Sequence, residues 1–473
     1  MEYELVCGLE THIELSTNTK IFCNCSTKFG GEPNTSCCPI CLGMPGSLPT
    51  LNKNVIKYAI MMGCALDCKI NLRSKMERKN YVYPDLPKAY QISQFEAPIC
   101  TGGYVLLSNG RKIRINHIHM EEDAGKIVHK NNSFFIDYNR GGVPLLEIVS
   151  EPDIRSSEEV KEYVEILRSI SRYLGISDGR MQEGSLRCDV NISVREKGSQ
   201  DYGVRIEIKN MNSINFIANA LESEFERQIQ VLNSRGKLVQ ETRKYNENTN
   251  KTESMREKED AMDYRYFVEP DIKEIELDDV FIKNIQKELP VLPNVRLNYY
   301  KNELNIPEKI SKILVKYVKI SDFLNHALKT CEHPIIAANF ITGTIFSCLE
   351  TENEREEFNI FISPEDFAYF VNLSANSTMD QGNFKKILKV SLEENKNLRK
   401  LIDDYLSSAQ KYDINDVCEQ VIANNKKAVS DYINGTDNAF QAILGAAMRI
   451  TKGQIDASQI TQALRKKLTR INS

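Results

Sequence analysis

The chain has 473 residues, 41% of them hydrophobic, with a formal net charge of −4 and a sequence pI near 6.0. This length allows about two to four domains. Balanced charge excludes a surface that binds nucleic acid over its whole area, so any such contact must be a local basic patch. A run of about 18 apolar residues is absent, which argues against a membrane span.

The cysteine content bears on the compartment. The chain has 13 cysteines, and its acidic start has none of the features of a signal or transit peptide. We therefore expect a cytoplasmic protein whose cysteines are metal ligands or free thiols rather than disulfides.

The first predicted strand, residues 3–13, carries a carboxylate and an imidazole. Glu10 and His12 are two residues apart and therefore face the same side of the strand. They are either metal ligands or a polar pair at the edge of the core, and taken alone the pattern favours the second.

A cysteine-rich loop follows at residues 22–42. Cys23 and Cys25 form one close pair, and Cys38 and Cys41 form another. Two such pairs brought together predict a structural, tetrahedral Zn²⁺ site with four sulfur ligands. Free thiols are the alternative, and Cys37 could replace Cys38, although the spacing favours Cys38.

Residues 119–126 combine a histidine, three acids and a lysine, and a basic strand precedes them. So many carboxylates are difficult to bury without cations that balance them. A solvated loop is the plainer interpretation. The flanking apolar strands favour a site for Mg²⁺ together with phosphate.

Two further segments contain closely spaced basic side chains. Lys79, Tyr81 and Tyr83 lie in a proline-containing loop, where they either stack on bases and hold phosphates or pack the loop onto a sheet. Residues 205–209 place their charged groups on one face of a strand, to hold a phosphate or to form a solvated cross-strand ladder.

Prolines at residues 290 and 293 indicate a linker, beyond which the sequence is helical. The last helix keeps an apolar stripe beside a basic cluster. That cluster, with two upstream cations, is the best local RNA-backbone footprint, or else consists of ordinary solubilising residues. Its members are Arg449, Lys452, Arg465, Lys466 and Lys467.

Several long motifs resemble the B subunit of the tRNA-dependent amidotransferase, the GatB family. They occupy residues 8–12, 79–81, 83–85, 90–94, 119–126, 147–153, 183–189 and 259–267. The resemblance implies an α+β fold, in which a mixed or antiparallel sheet forms a cradle-like catalytic domain. The implied domains are the cradle at 1–290, an all-α helical domain at 294–405 and a small tRNA-binding tail domain at 412–473.

The resemblance also implies a reaction. ATP phosphorylates the side-chain carboxylate of Glu-tRNA(Gln) or Asp-tRNA(Asn), and ammonia then displaces the phosphate to give the amide. Carried over by motif, Glu10, His12, Glu122 and Glu147 are the catalytic residues and Mg²⁺ ligands, with His12 acting either directly or through a water because imidazole is an uncommon Mg²⁺ ligand. By the same resemblance, Lys79, Tyr81 and Tyr83 lie around the nucleotide or the aminoacyl end. No P-loop pattern occurs, so ATP would bind on the sheet.

The sequence shows no glutaminase or amidase pattern of its own. The resemblance implies that ammonia comes from an amidase A subunit, in a heterotrimer with a small C subunit and with glutamine as the amido donor. Two other functions stay open: a zinc-stapled tRNA-binding protein without catalysis, and a variant subunit of a different amidation complex.

Overall fold

The structure, a computed structural model, describes residues 2–131, 133–209, 211–257, 264–376, 381–409, 413–436, 438–451 and 455–472. The chain divides into two compact units, Met1–Leu292 and Pro293–Ser473. Helices dominate the second unit, whereas all of the strands of the described chain lie in the first.

The first unit is built mainly from strands. In chain order they are β1 (Tyr3–Glu14), β2 (Lys69–Ile70), β3 (Arg73–Ser74), β4 (Glu77–Asn80), β5 (Tyr90–Ser93), β6 (Cys100–Thr101), β7 (Tyr104–Leu106), β8 (Lys112–Glu122), β9 (Lys126–Lys130), β10 (Ser133–Asp137), β11 (Pro144–Ser150), β12 (Leu186–Glu196), β13 (Ile206–Lys209), β14 (Glu241–Asn246), β15 (Lys251–Glu257), β16 (Phe267–Val268) and β17 (Ile275–Glu276). Its helices are α1 (Lys53–Ala65), α2 (Ser157–Tyr173), α3 (Ile214–Asn233) and α4 (Asp279–Lys287).

A large mixed sheet organises this unit. Its strands run in the order β15-β14-β13-β12-β1-β11-β8-β6-β2, with β7 paired to β8, and only β13 and β14 are parallel neighbours. The other described strands form smaller sheets. One contains β16, β4 and β5, another contains β9 and β10, and a third contains β17 and β3. The first strand of the chain therefore lies near the centre of the sheet.

The central strands alternate between apolar and polar side chains. In β1, Leu9 and Ile13 are buried, whereas Glu10 and His12, which point the other way, are half-buried. The same alternation recurs in β12 and β13. Because side chains of a strand alternate with a period of two, one face of the sheet is apolar and the other is charged.

Helices cover the apolar face. The helix α2 begins after Ser156, whose hydroxyl accepts a hydrogen bond from the Glu159 N–H, and buries Tyr163 and Leu167. It packs against α3, which also contacts β12, while α1 packs against β8 and α4. The resulting core leaves the charged face of the sheet available for a site.

The second unit is helical. Its elements are α5 (Pro293–Asn298), a π-helical turn (Tyr299–Glu303), α6 (Glu308–Lys316), α7 (Val318–Ala327), α8 (Pro334–Phe340), a second π-helical turn (Ile341–Ile345), α9 (Phe346–Cys348), α10 (Glu352–Glu357), α11 (Pro364–Asn376), α12 (Gln381–Glu393), α13 (Leu398–Ala409), α14 (Ile414–Asn424), α15 (Lys426–Ile433), α16 (Asn438–Ile450) and α17 (Ala457–Asn472). It has two hydrophobic cores, one formed by residues 300–402 and one by residues 417–468.

These observations confirm the predicted α+β class, with a mixed sheet followed by helices. In the part of the chain that the structure describes, none of the helices has the length and apolar character that crossing a membrane would require.

Replacing Leu9 by alanine should destabilise the first unit. Leu9 is 1% exposed in the central strand, so Leu9→Ala should lower the free energy of unfolding by about 2–5 kcal/mol, from lost transfer energy and from the cavity left behind. Urea unfolding followed by circular dichroism measures this loss. Leu106→Ala is the matched control, because Leu106 is 55% exposed. Equal losses for the two variants would contradict the assigned core.

Candidate active site

Two imidazoles and two carboxylates meet on the charged face of the sheet. His12 and Glu147 are directly opposite each other on β1 and β11, and Glu147 is opposite His119 on β8. The Glu147 Oε2 atom lies 3.4 Å from His12 Nε2 and 3.0 Å from His119 Nε2. The Oε1 atom of Glu121, which is also on β8, lies 3.6 Å from His12 Nε2. We call these four residues the histidine–glutamate cluster.

The charges of this cluster stabilise one another. Burial alone would lower the pKa of His12, but the charge and hydrogen bond of Glu147 outweigh burial and raise the pKa to about 9. His119 behaves in the same way, and its pKa is raised to about 10. Burial opposes ionisation of Glu147, yet the two imidazoles hold the pKa of that carboxyl well below its usual range. The ligand atoms of His12, Glu121 and Glu147 lie within 4.8 Å of one another, close enough to hold one metal ion.

A second acidic group lies beside the cluster. Glu10, Asp189 and Glu207 offer oxygen atoms within 4.8 Å of one another. Lys209 Nζ lies 2.6 Å from Asp189 and 2.8 Å from Glu207, and Asn191 donates to Glu10 at 2.8 Å. Burial, followed by the charge of Glu147, raises the pKa of Glu10. An all-oxygen set suits Mg²⁺ better than a set containing imidazole.

The structure does not bring Glu122 to either group. Its carboxylate is bound by Lys88 Nζ, 2.6 Å from Oε2, and accepts the Ile92 N–H at 2.8 Å on the other side of β8. The carboxylate that faces His12 belongs to Glu121. Consecutive residues of a strand face opposite sides of the sheet, so only one of these two acids can reach the cluster. Of the four predicted Mg²⁺ ligands, His12 and Glu147 lie together and Glu10 lies in the neighbouring acidic group.

The histidine–glutamate cluster, through His12, Glu121 and Glu147, and the second acidic group line an open cavity of about 1000 Å³. Cations and further acids lie around them, so the lining carries charges of both signs. Arg187, opposite His12 on β12, binds Asp123 at 2.6 Å, and Arg140 Nε lies 3.5 Å from the same carboxylate. The basic residues that line the cavity are Lys79, Lys126, Arg140, Arg187, Arg205 and Lys209.

Two of the three residues predicted around the nucleotide line this cavity. Lys79 Nζ lies over the ring of Tyr264, 4.9 Å from its centroid, and the Tyr81 hydroxyl donates to Gln91 at 3.0 Å. Burial would lower the pKa of Lys79, but the charge of Glu121 outweighs it and raises that pKa. Tyr83 is 56% exposed and does not line the cavity.

The four predicted zinc ligands form a compact group. Cys41 Sγ lies 3.3 Å from Cys23 Sγ, 3.6 Å from Cys38 Sγ and 3.7 Å from Cys25 Sγ. Four sulfurs around a tetrahedral Zn²⁺ would be about 3.8 Å apart, given a Zn–S bond of about 2.3 Å. The donor set and spacing therefore fit zinc. Cys37 is outside the group, with its thiol 3.8 Å from Asn139 Oδ1.

A buried lysine supports the cysteine group. Lys20 is fully buried, and its ammonium lies 3.6 Å from Cys41 Sγ and 3.1 Å from the carbonyl of Tyr138. A positive charge there offsets the negative charge of thiolates. Gly43 follows with a φ of +65°, and a Cβ atom at this position would lie 2.4 Å from Lys88 Cγ. The loop is thus packed against the residue that binds Glu122.

Four of the five predicted basic residues of the tail lie on α16 and α17. Arg449, Arg465 and Lys466 are exposed, with the Arg465 guanidinium 5.3 Å from the centroid of Phe440. Lys467 is held internally, because its Nζ lies 3.0 Å from the carbonyl of Asn415 and also binds Glu419. Lys452 lies outside the described residues, as do residues 259–263 of the sequence motifs.

The sequence did contain a signal for the residues that were missed. Glu121 is two residues after His119, so strand periodicity pairs it with the histidine and turns Glu122 away. Asp189 alternates with apolar residues in β12 in the same way. Their approach to Glu10 and Glu147 depends on the order of the strands, for which the sequence held no comparable pattern.

Substitution of the cysteines should show how metal is bound. We expect the purified chain to carry one Zn²⁺ per molecule, and Cys38→Ser to lose it, because three sulfurs hold the ion less tightly than four. Cys37→Ser is the matched control and should keep the ion, since Cys37 lies outside the group. Elemental analysis after dialysis measures both variants. Zinc retained by Cys38→Ser and lost by Cys37→Ser would reverse the assignment.

The chain matches known protein families over most of its length. Residues 5–283 match the model of the GatB/GatE catalytic domain, and residues 322–468 match that of the GatB domain. The B subunit of the aspartyl/glutamyl-tRNA(Asn/Gln) amidotransferase from Caldicellulosiruptor saccharolyticus is 46% identical over 480 residues, with both chains fully covered. Proteins of the same name from Thermoanaerobacter pseudethanolicus and Agathobacter rectalis are 44% and 45% identical, covering 99% and 98% of this chain and 100% and 98% of their own.

These matches confirm the resemblance that the sequence motifs indicated. The two domain models match in order, and the relatives align with this chain over nearly its whole length. The chain therefore belongs to the GatB family of amidotransferase B subunits.

Proposed function

We propose that this chain activates the side-chain carboxylate of a glutamate or aspartate esterified to transfer RNA, using ATP, and converts it to the amide. The observation that carries the proposal is the cavity on the charged face of the sheet, where paired imidazoles and carboxylates lie among cations. Relatives that align over nearly their whole length are named as B subunits of aspartyl/glutamyl-tRNA(Asn/Gln) amidotransferases.

The chemistry requires such a lining. A carboxylate is a poor electrophile, so its oxygen first attacks the γ-phosphorus of ATP, and the bond between that phosphorus and ADP breaks. Ammonia then attacks the carbonyl carbon, phosphate leaves with the C–O bond electrons, and the nitrogen loses a proton. Phosphoryl transfer depends mainly on positioning and on neutralising charge.

A divalent cation would supply much of that neutralisation when bound. We assign its ligands to the carboxylates of Glu121 and Glu147, with His12 bound through a water molecule and with Glu10, Asp189 and Glu207 as the neighbouring oxygen set. Glu121 takes the position that the motif gave to Glu122. Mg²⁺ is the proposed ion, because hard oxygen ligands predominate in the two groups together.

The cations of the cavity would bind the phosphates. Lys79 is half-buried next to the histidine–glutamate cluster, and Arg187 lies opposite His12. Arginine binds phosphate through two parallel hydrogen bonds, whereas lysine acts as a point charge. Arg187 and Lys79 would hold the transferred group, and Arg205 at the exposed edge would reach the rest of the nucleotide.

The complex would contain other subunits. In this proposal an amidase A subunit releases ammonia from glutamine, a small C subunit completes a heterotrimer, and a channel keeps ammonia away from water. The cysteine group binds a structural zinc. The exposed tail residues Arg449, Arg465 and Lys466 contact the body of the transfer RNA.

Two neighbouring acids on β8 allow a sharp test of the site. In the complex with misacylated transfer RNA, Glu121→Gln should lower substrate-dependent ATP hydrolysis by at least about 100-fold, because it removes a ligand charge. Glu122→Gln should instead lower the free energy of unfolding by about 3 kcal/mol, because Lys88 loses its buried partner. Phosphate release and thermal unfolding measure the two effects.

Glu226→Gln, on the exposed side of α3, is the control and should change neither property. A large loss of hydrolysis in Glu122→Gln with normal stability, and none in Glu121→Gln, would contradict the assignment. If misacylated transfer RNA does not stimulate ATP hydrolysis by the parent complex, the result would favour a binding protein without catalysis.

The source of ammonia is tested separately. With glutamine as donor, amide formation should require the amidase subunit. With an ammonium salt at mildly alkaline pH, the chain and the small subunit should form the amide without the amidase subunit. Chromatography of the amino acid released from the transfer RNA measures both reactions. Glutamine-dependent amidation by the isolated chain would show that it releases ammonia itself.

A further inference from the structure

A ladder of aromatic rings runs from the cavity to the surface of the first unit. Tyr81 and Tyr264 line the cavity, with ring centroids 5.8 Å apart. Tyr264 contacts Tyr266 at 6.1 Å, and Tyr266 stacks on Phe95 at 4.4 Å with the ring planes within 9°. Phe95, at the outer end, is 63% exposed. We call these four residues the aromatic track.

The backbone beneath the track is held in place at both ends. The buried Glu77 carboxylate accepts the N–H groups of Phe95 and Glu96 at 2.7 and 2.8 Å. Asn80 donates its backbone N–H to the carbonyl of Tyr264 and its side-chain amide to that of Arg265, at 2.9 and 2.8 Å. Rings on a fixed backbone lose little entropy when they bind a flat ligand.

Two observations argue that the track does more than pack a loop. Arg265, between its two middle tyrosines, has a φ of +45°, a value that is uncommon for a residue other than glycine. The outermost ring is mostly exposed, although packing alone would favour burying it. Strained backbone and exposed aromatic rings are both typical of ligand sites.

We propose that the aromatic track binds the single-stranded 3′ end of the transfer RNA and leads its aminoacyl group into the cavity. The inference rests on the proposed function, because that reaction requires the end of an RNA strand to reach the histidine–glutamate cluster. Unpaired bases stack on aromatic side chains whatever their sequence, and successive rings suit successive bases. Lys79, with its ammonium over the ring of Tyr264, adds positive charge at the inner end.

Binding of two hairpin RNAs tests the track. The RNAs share one stem, and only one of them has an unpaired 3′ tail. The full chain should bind the tailed RNA more tightly, and Phe95→Ala and Tyr266→Ala should each weaken that binding about tenfold while leaving the blunt RNA unaffected. Phe95→Tyr and Tyr266→Phe keep the aromatic faces and should bind as the parent does. Fluorescence anisotropy gives the affinities, and thermal unfolding checks that each variant is folded.

Phe134→Ala is the matched control, because Phe134 is 56% exposed on β10, outside the track. Equal binding of the tailed RNA by Phe95→Ala and the parent would overturn the proposal, as would an equal loss for both RNAs or a similar loss in Phe134→Ala. A loss confined to ATP affinity, or to assembly with partner subunits, would assign the track to the adenine base or to a protein and also overturn it.

The same variants separate this proposal from the proposed function. In the assembled complex, Phe95→Ala should raise the KM for misacylated transfer RNA about tenfold and leave kcat unchanged. An unchanged KM with normal amidation in the parent would overturn the track alone. A parent without amidation would overturn the proposed function, whereas the comparison of tailed and blunt RNA would still decide whether the track binds a single strand.

Discussion

Neighbouring residues of a β-strand face opposite sides of the sheet, and the first unit depends on how β1, β8, β11 and β12 use this constraint. On one face, apolar side chains form the core with α1, α2 and α3. On the other, the same strands present acids and imidazoles in adjacent positions across the sheet. A slip of one residue in β1 would exchange the two faces, burying Glu10 and His12 in the core.

Charge pairing is what makes the polar face stable. An unpaired buried carboxylate costs several kcal/mol, whereas Glu147 is bracketed by two imidazoles and Asp189 is held by Lys209. The same pairing raises the pKa of both histidines. The charged groups of this face are therefore balanced mainly by one another.

The surroundings of the cavity are held by interactions of several kinds. The cysteine group and Lys20 fix the loop that packs against Lys88, and Lys88 in turn holds Glu122 behind the sheet. On the other side, Glu77 and Asn80 fix the backbone of the aromatic track. Local contacts thus position the loops, while the sheet positions the charged groups.

The family, the strand with Glu10 and His12, and the spacing of the cysteine ligands could all be predicted from the sequence. These features are local: a period of two, a pair spacing and a run of motif residues are all visible within about a dozen positions. The same periodicity would have selected Glu121 over Glu122, had it been applied to β8.

Which side chains meet at the site depends on the fold as a whole. Asp189 and Glu207 reach Glu10 because β12 and β13 follow β1 in the sheet. Tyr264 reaches Tyr81 because the following strand, β16, pairs with β4, although more than half of the residues of the first unit separate the two tyrosines in the sequence. Strand order and long-range packing depend on the burial of the whole core. Contacts between residues far apart in the chain are therefore absent from any local pattern.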